Sequence, residues 1–119
     1  MDLPLALNRF LLLFNRGEYW ASHEALEPAW RKTGSPFYHG LILYASAWVH
    51  LARGNSAGVE AQMGKAEQVL RPFAPGYLGL DVRRILNQGD LLRSGHPDDR
   101  HIHTEGRFFR GDEPELAAD

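Results

Sequence analysis

The amino-acid sequence predicts an all-α protein, a compact bundle of about five helices followed by an irregular C-terminal tail. Three observations support this fold class. Apolar residues recur at spacings of three and four along successive segments, and clusters of Gly, Pro, Asn and Ser separate those segments. No run alternates apolar and polar residues over the length of a strand, so strands are not expected.

The first two helices are predicted over residues 4–15 and 18–33. The apolar face of the first is formed by Leu7, Phe10, Leu11 and Phe14. Gly17 follows that helix as a left-handed cap. The second helix closes at the helix-breaking run TGSP, and Pro28 lies inside it. Because proline removes an amide donor and crowds the preceding turn, we expect a bend or a break near Pro28.

The third helix, over residues 36–53, is apolar nearly all round, which is typical of a helix in the middle of a bundle. Asn55 and Ser56 then predict a capped start for the fourth helix. Its apolar stripe consists of Val59, Met63, Ala66, Leu70 and Phe73. Glu60 and Glu67 border this stripe, and we expect both carboxylates in solvent.

A fifth helix is predicted over residues 79–93, where Gly89 weakens the pattern. The segment after it has no helical period and is rich in Gly, Pro and Asp, which predicts an extended tail. The expected organisation is therefore a bundle domain over residues 1–93 and a tail over residues 94–119.

The amino-acid composition excludes several kinds of functional site. With 44% hydrophobic and 24% charged residues, the chain is expected to form a single core. It has no cysteine, which excludes a disulfide framework, a thiolate metal site and a cysteine nucleophile. A formal net charge of −2 with scattered basic residues predicts no binding to nucleic acid. No run approaches the ~18–20 apolar residues of a membrane span, and Asp2 does not fit a secretory signal, so we expect a cytoplasmic protein without a membrane segment.

Two helix junctions are alike, FNRGEYWA at residues 14–21 and LARGNSAG at residues 51–58. This similarity has two interpretations. One is a pair of helix hairpins resembling tetratricopeptide repeats, and the other is two ordinary glycine caps. Repeat solenoids need about three units, which favours the glycine caps.

The run EYWASHEALEPAW, residues 18–30, places a histidine and three glutamates among large aromatic residues. At 100° per residue, one arc of the helix holds Tyr19, Trp20, His23, Leu26, Glu27 and Trp30. His23 and Glu27 therefore lie within an apolar stripe, with Glu24 at its edge. Because burying a lone carboxylate is costly, Glu27 needs a donor, a metal ion or a proton.

Two interpretations of this pair stay open. His23 can donate a hydrogen bond to Glu27 one turn away and so fix the packing of the bundle. Alternatively, the two side chains are ligands of zinc, manganese or iron. In an antiparallel hairpin of the second and third helices, His39 comes level with Glu27 and would be the next ligand. The zinc-protease pattern H-E-x-x-H is not met, because Glu27 stands where the second histidine would be.

Several segments in order resemble a known family. The runs are FNRGEYWASHEALEPAWR at residues 14–31, FYHGLILYASAWVHLARGN at residues 37–55 and GYLGLD at residues 76–81. Together they resemble the family named domain of unknown function 309, over about residues 10–90. The resemblance implies a small all-helical protein without an established biochemical role. Relatives in this family have been labelled predicted metal-dependent hydrolases.

The resemblance applies residue by residue. His23, Glu24, Glu27 and Trp30 match the pattern His-Glu-x-x-Glu-x-x-Trp. The flanking positions of the pattern match Asn15, Gly17, Gly40 and Asn55. Where similar proteins tend to carry glutamine beside Gly-Leu-Ile, this chain has His39 and Leu43 instead, so a polar network on that helix would differ here.

Two functional hypotheses follow. The first is a metal-dependent hydrolase in which His23, Glu27 and His39 hold a divalent cation, with Glu24 and Glu27 as the catalytic carboxylates acting on an activated water. The second is a non-enzymatic interaction module, either a homodimer or a binder of another protein, in which the His/Glu pair is structural. The sequence names no substrate for the first hypothesis.

Overall fold

The computed structural model describes residues 3–104, and within them it confirms the all-α fold. The five α-helices are α1 (Leu5–Asn15), α2 (Tyr19–Thr33), α3 (Pro36–Ala52), α4 (Ser56–Leu70) and α5 (Val82–Arg93). One 3₁₀ turn (Arg71–Phe73) follows α4. The radius of gyration of 13.1 Å agrees with about 13 Å expected for a globular chain of 100 residues.

Helix α3 lies at the centre of the bundle, as its sequence predicts. It packs against α2 on one side and α4 on the other, while α1 packs on α2 and α5 on α4. Tyr44 and Trp48 of α3 are buried against Phe14 of α1, with ring centroids 5.6 and 5.8 Å from the Phe14 ring. This aromatic cluster joins the first helix hairpin to the second.

Helix α2 continues across Pro28 without a break. Pro28 and Glu24 are both exposed, so water can bind the Glu24 carbonyl that proline deprives of its helical donor. The helix ends at Gly34, whose φ of 68° is the left-handed cap that favours glycine. The expectation was a bend or a break near Pro28: a break is not found, a bend stays a prediction, and the predicted end of the helix is confirmed.

A two-stranded antiparallel sheet stands where no strand was expected. It pairs β1 (Gly76–Tyr77) with β2 (Leu80–Asp81) through a turn at Leu78 and Gly79, whose φ angles are 50° and 82°. Positive φ at both central residues is typical of a type I′ hairpin. Strands of two residues are too short to show an alternating pattern, and they move the start of α5 to Val82.

The first part of the predicted tail lies against the bundle. Ile102 is 1% exposed and belongs to the hydrophobic core, and Thr104 forms an antiparallel bridge with Leu80. Residues 105–119 of the predicted tail lie outside the described residues. The domain boundary at residue 94 stays a prediction. No helix within residues 3–104 is long and apolar enough to cross a membrane.

Candidate functional site

The outer face of α2 carries the residues that the sequence singled out. Helix α2 buries Ser22 and Leu26 towards the core, whereas Glu24 is exposed and His23 and Glu27 are half-buried. The stripe expected to be buried thus runs from the core into solvent, because α2 is packed on its inner side only, by α1 and α3. The expected buried carboxylate is not found, since the Glu27 side chain is 33% exposed.

Trp20 and His23 form a stacked pair on this face. Their ring centroids are 4.9 Å apart and their planes are inclined by 11°. Trp20 is 51% exposed, although tryptophan is usually largely buried. The Nδ1 atom of His23 is buried, and within the described residues it has no hydrogen-bond partner.

Glu27 does not pair with His23. Its Oε2 atom lies 3.3 Å from Nη2 of Arg31, one turn further along α2. Because Arg31 is mostly exposed, this ion pair contributes little to stability. The hydrogen bond from His23 to Glu27, one of the two interpretations of this pair, is therefore absent from the described residues, and Glu27 pairs with the Arg31 guanidinium instead.

His39 is held by a second tryptophan. Its ring stacks on Trp30 with centroids 4.4 Å apart and planes inclined by 2°. The antiparallel hairpin of α2 and α3 thus brings His39 onto Trp30, one helical turn beyond Glu27. Each histidine of this face is covered by an indole, and each indole is half or partly exposed.

The structure does not gather these side chains into a ligand set. Among residues 3–104, no group of three or more His, Asp or Glu side chains is arranged to hold a metal ion. His23, Glu27 and His39 as ligands, with Glu24 and Glu27 as catalytic carboxylates, stay a prediction.

The flanking positions of the family pattern have structural explanations. Gly17 ends α1 with a φ of 84°, and Asn55 caps α4 by accepting a hydrogen bond of 3.0 Å from the Gly58 amide. A Cβ atom at Gly40 would lie 2.6 Å from Cδ2 of Leu70, so glycine there lets α3 approach α4. Backbone conformation, helix capping and helix packing therefore account for these three residues without a role in catalysis.

A buried carboxylate was missed by the sequence. Glu67 of α4 is 5% exposed, and its Oε1 atom accepts a hydrogen bond of 2.7 Å from Nη1 of Arg93. Arg93 also bonds Glu60, and that hydrogen bond lowers the pKa of Glu60. Burial, together with the neighbouring Asp90, raises the pKa of Glu67 and outweighs the lowering effect of Arg93.

The expectation that Glu67 is solvated is wrong because α5 covers it. Gly89 of α5 makes this approach possible, since a Cβ atom there would lie 2.8 Å from Oε2 of Glu67. The signal in the sequence was Gly89 itself, a glycine inside an amphipathic helix, which marks close packing. We name Glu60, Glu67, Asp90 and Arg93 the α4–α5 cluster.

Comparison with known proteins gives one match. The family model described as Domain of unknown function (DUF309) matches residues 7–61, from α1 into α4. The matched region includes the whole of α2 and the stacked Trp–His pairs. Comparisons with curated proteins and with solved structures gave no match.

Proposed function

We propose that the outer face of α2 binds a protein partner. Residues 7–61, which include this helix, match the model of the DUF309 family, whose function is unknown. We name this surface the α2 face and define it by Trp20, His23, Glu24, Glu27, Trp30 and His39. The observation that carries the proposal is Trp20, a half-exposed indole held in one orientation by the stacked His23 ring.

A preorganised indole is well suited to be the centre of an interface. Tryptophan can bury roughly 150–250 Å² in one contact, and it is enriched among the residues that dominate binding energy. Stacking on His23 has already restricted the rotation of the Trp20 side chain. Less conformational entropy is therefore lost on binding than for a free side chain.

The surroundings of Trp20 resemble the polar border of an interface. Glu24 is exposed beside it, and Glu27 and Arg31 form a solvent-accessible ion pair about two to three turns away. Rim charges of this kind contribute to orientation and association rate more than to affinity.

The family pattern supports the same surface. Asn55, Gly17 and Gly40 each have a role in the fold, whereas His23 and Glu24 have no hydrogen bond or ion pair within the described part of the chain. Pattern positions that the fold does not require are the ones expected to contact another molecule.

The test compares Trp20→Ala with Leu5→Ala. Leu5 is a suitable control because it is also an exposed apolar side chain, but it lies on α1. Sedimentation of the full chain over a wide concentration range measures homodimer formation, and crosslinked capture from the source cell measures other partners. We expect association that is lost in Trp20→Ala and kept in Leu5→Ala. A protein that stays monomeric and captures the same proteins in all three forms would overturn the proposal.

A second candidate function is the metal-dependent hydrolase. It is favoured by the buried Nδ1 atom of His23, which has lone-pair capacity that nothing in residues 3–104 uses. Zinc, manganese or iron would be held by His23, Glu27 and His39, and Glu24 or Glu27 would act as the base.

Metal titration followed by calorimetry tests this candidate, with His96→Ala as the control for adventitious binding. His96 is exposed and distant in sequence from α2. Stoichiometric binding that His23→Ala abolishes and His96→Ala keeps would support the metal site. Equal binding by both variants, or no binding to any form, would exclude it.

A further inference from the structure

Residues 96–104, which we name the strap, lie against the bundle outside any helix, with a bend at His101, and several of their backbone groups are bonded by side chains of the bundle. Nδ2 of Asn15 donates to the Ile102 carbonyl at 3.1 Å, and the Ile102 amide donates to Oδ1 of Asn15 at 2.8 Å. One side-chain amide thus satisfies both backbone groups of one strap residue. Such a contact recognises a peptide backbone whatever its side chains are.

A second side-chain amide holds the other end of the strap. Oε1 of Gln88 in α5 accepts from the backbone amides of Asp98 at 3.2 Å and Asp99 at 3.1 Å. Between these two clamps, the strap fixes its own shape. Oδ1 of Asp99 accepts from the His101 amide at 3.0 Å, and its Oδ2 atom lies 2.6 Å from Nε2 of His103.

The strap also extends the small sheet. The Asp81 amide donates to the His103 carbonyl at 2.8 Å, and Leu80 bridges Thr104 in antiparallel register. The strap therefore adds one isolated antiparallel bridge to the free edge of β2. Addition of an extended peptide to a sheet edge is a common mode of peptide recognition.

Two strap side chains that contact the bundle are Ile102, which is buried, and Arg100, which is exposed. The guanidinium of Arg100 lies 5.5 Å from the centroid of the Trp48 ring, within range of a cation–π contact. Ile102 is buried in the core, whereas His101 between them is exposed. The groove thus offers a cationic subsite and an aliphatic subsite two residues apart.

We propose that this groove is a binding site for an extended peptide segment of a partner protein, and that the strap occupies it as a tethered competitor. The peptide that fits has a cationic side chain, then any residue, then a branched aliphatic side chain, then any residue and a hydroxyl residue. These positions correspond to Arg100, Ile102 and Thr104.

Two observations distinguish a replaceable occupant from a permanent part of the core. The groove residues Asn15 and Trp48 lie inside the region that matches the family model, whereas the strap lies outside it, as do Gln88 and the edge of β2. The strap also joins α5 through Ser94 and Gly95, both exposed, and Gly95 has a φ of 86°. The joint contains no buried side chain, and backbone hydrogen bonds from Gly95 to Leu92 and from His96 to Leu91 hold it to the end of α5.

The test releases the strap from its tether in the folded, full-length chain. A protease recognition sequence is placed between Ser94 and Gly95, and the chain is cleaved after folding. Binding of a fluorescent peptide with the sequence HPDDRHIHT, residues 96–104, is then followed by anisotropy. We expect the cleaved chain to keep its helical circular dichroism and to exchange its fragment for the peptide. The intact chain should bind the peptide far more weakly, because the tethered strap competes at high effective concentration.

Variants identify the clamp and the subsite. Asn15→Ala should weaken peptide binding by about tenfold or more, because two hydrogen bonds to the backbone are lost. Asn87→Ala, an exposed amide on α5, should leave binding unchanged. A peptide carrying Ile102→Asp should not bind, because a carboxylate would enter the aliphatic subsite.

Three results would overturn the proposal. The first is a cleaved chain that stays helical but neither retains its fragment nor binds the peptide. The second is loss of helical structure on cleavage, which would make the strap a required part of the core. The third is peptide binding that Asn15→Ala does not change. Trp20→Ala is expected to leave peptide binding intact, so failure here is distinguishable from failure of the partner site on the α2 face.

Discussion

The α2 face and the α4–α5 cluster both carry acidic residues on helices, but the two regions use them in opposite ways. On the α2 face, Glu24 is exposed and Glu27 pairs with a mostly exposed arginine. In the α4–α5 cluster, Glu67 is buried and bonded to Arg93. Glu24 and Glu27, which stand among aromatic residues in the sequence, are accessible to solvent. Glu67, which the sequence predicts to be solvated, is buried. The burial of a charged residue thus depends on which helix covers it.

The largest effect expected from this difference is that of Arg93→Ala. Removing the guanidinium leaves Glu67 buried without its cationic partner, which costs about 1–3 kcal/mol, less than for a fully buried pair because Arg93 is itself partly exposed to solvent. Urea denaturation at neutral pH measures the loss in the free energy of unfolding. Arg84→Ala is the matched control, since Arg84 lies on the exposed side of α5. Equal stability of the two variants would contradict the contrast between the regions.

Substitution of two helical glycines by alanine should have opposite effects. In Gly89→Ala, the new Cβ atom would lie 2.8 Å from Oε2 of Glu67 and 3.0 Å from the sulfur of Met63, so we expect a loss of about 1–2 kcal/mol. At Gly64 of α4 nothing lies within 4 Å of the new atom, and alanine should stabilise the helix by about 0.5–1 kcal/mol. Thermal unfolding of both variants measures the difference. A stabilised Gly89→Ala would show that α5 is not closely packed over Glu67.

The free energy of unfolding should depend on pH through Glu67 of the α4–α5 cluster, and it should rise as the pH falls. The pKa of Glu67 is raised in the folded state, so the folded chain binds a proton more readily than the unfolded chain. Lowering the pH through the raised folded pKa towards the ordinary glutamate pKa therefore adds stability. The comparison is made with Glu67→Gln, which lacks this titration. If both proteins change in parallel between pH 7 and pH 5, Glu67 does not titrate as described.

The smallest effect is expected on the α2 face. Glu27→Gln removes only the ion pair with Arg31, which contributes less than about 0.5 kcal/mol. Chemical denaturation in low and high salt measures it, and Lys32→Gln on the same helix is the control. A loss above 1 kcal/mol would mean that Glu27 has a buried partner, as the sequence interpretation first supposed.

Much of the fold could be predicted because helices are local structures. The apolar spacing and the breakers placed all five helices to within three residues, including the ends of α2 and α3. The hairpin at residues 76–81 could not be predicted, since it depends on a two-residue turn and on cover from Thr104 rather than on a periodic pattern.

The sequence predicted which residues lie together on the candidate site, but not which of their side chains are in contact. His23, Glu24, Glu27 and Trp30 do lie on α2 near one another, because helical geometry follows from sequence spacing. The stacking of His39 on Trp30 depends on how α2 and α3 are aligned, and the pairing of Glu27 with Arg31 depends on exposure. Neither contact can be predicted from the spacing of residues along a single helix.

The sequence by itself determined that this chain is a helical bundle with α3 at its centre and a polar aromatic pattern on α2, and that its residues 7–61 match the DUF309 family model. Only the tertiary structure decided that the α2 pattern faces solvent, that Glu67 is buried and that residues 96–104 lie in a groove beside Asn15. The physical reason is range. Helix formation is decided by neighbours within about four residues, whereas burial and hydrogen bonding are decided by segments that are distant along the chain.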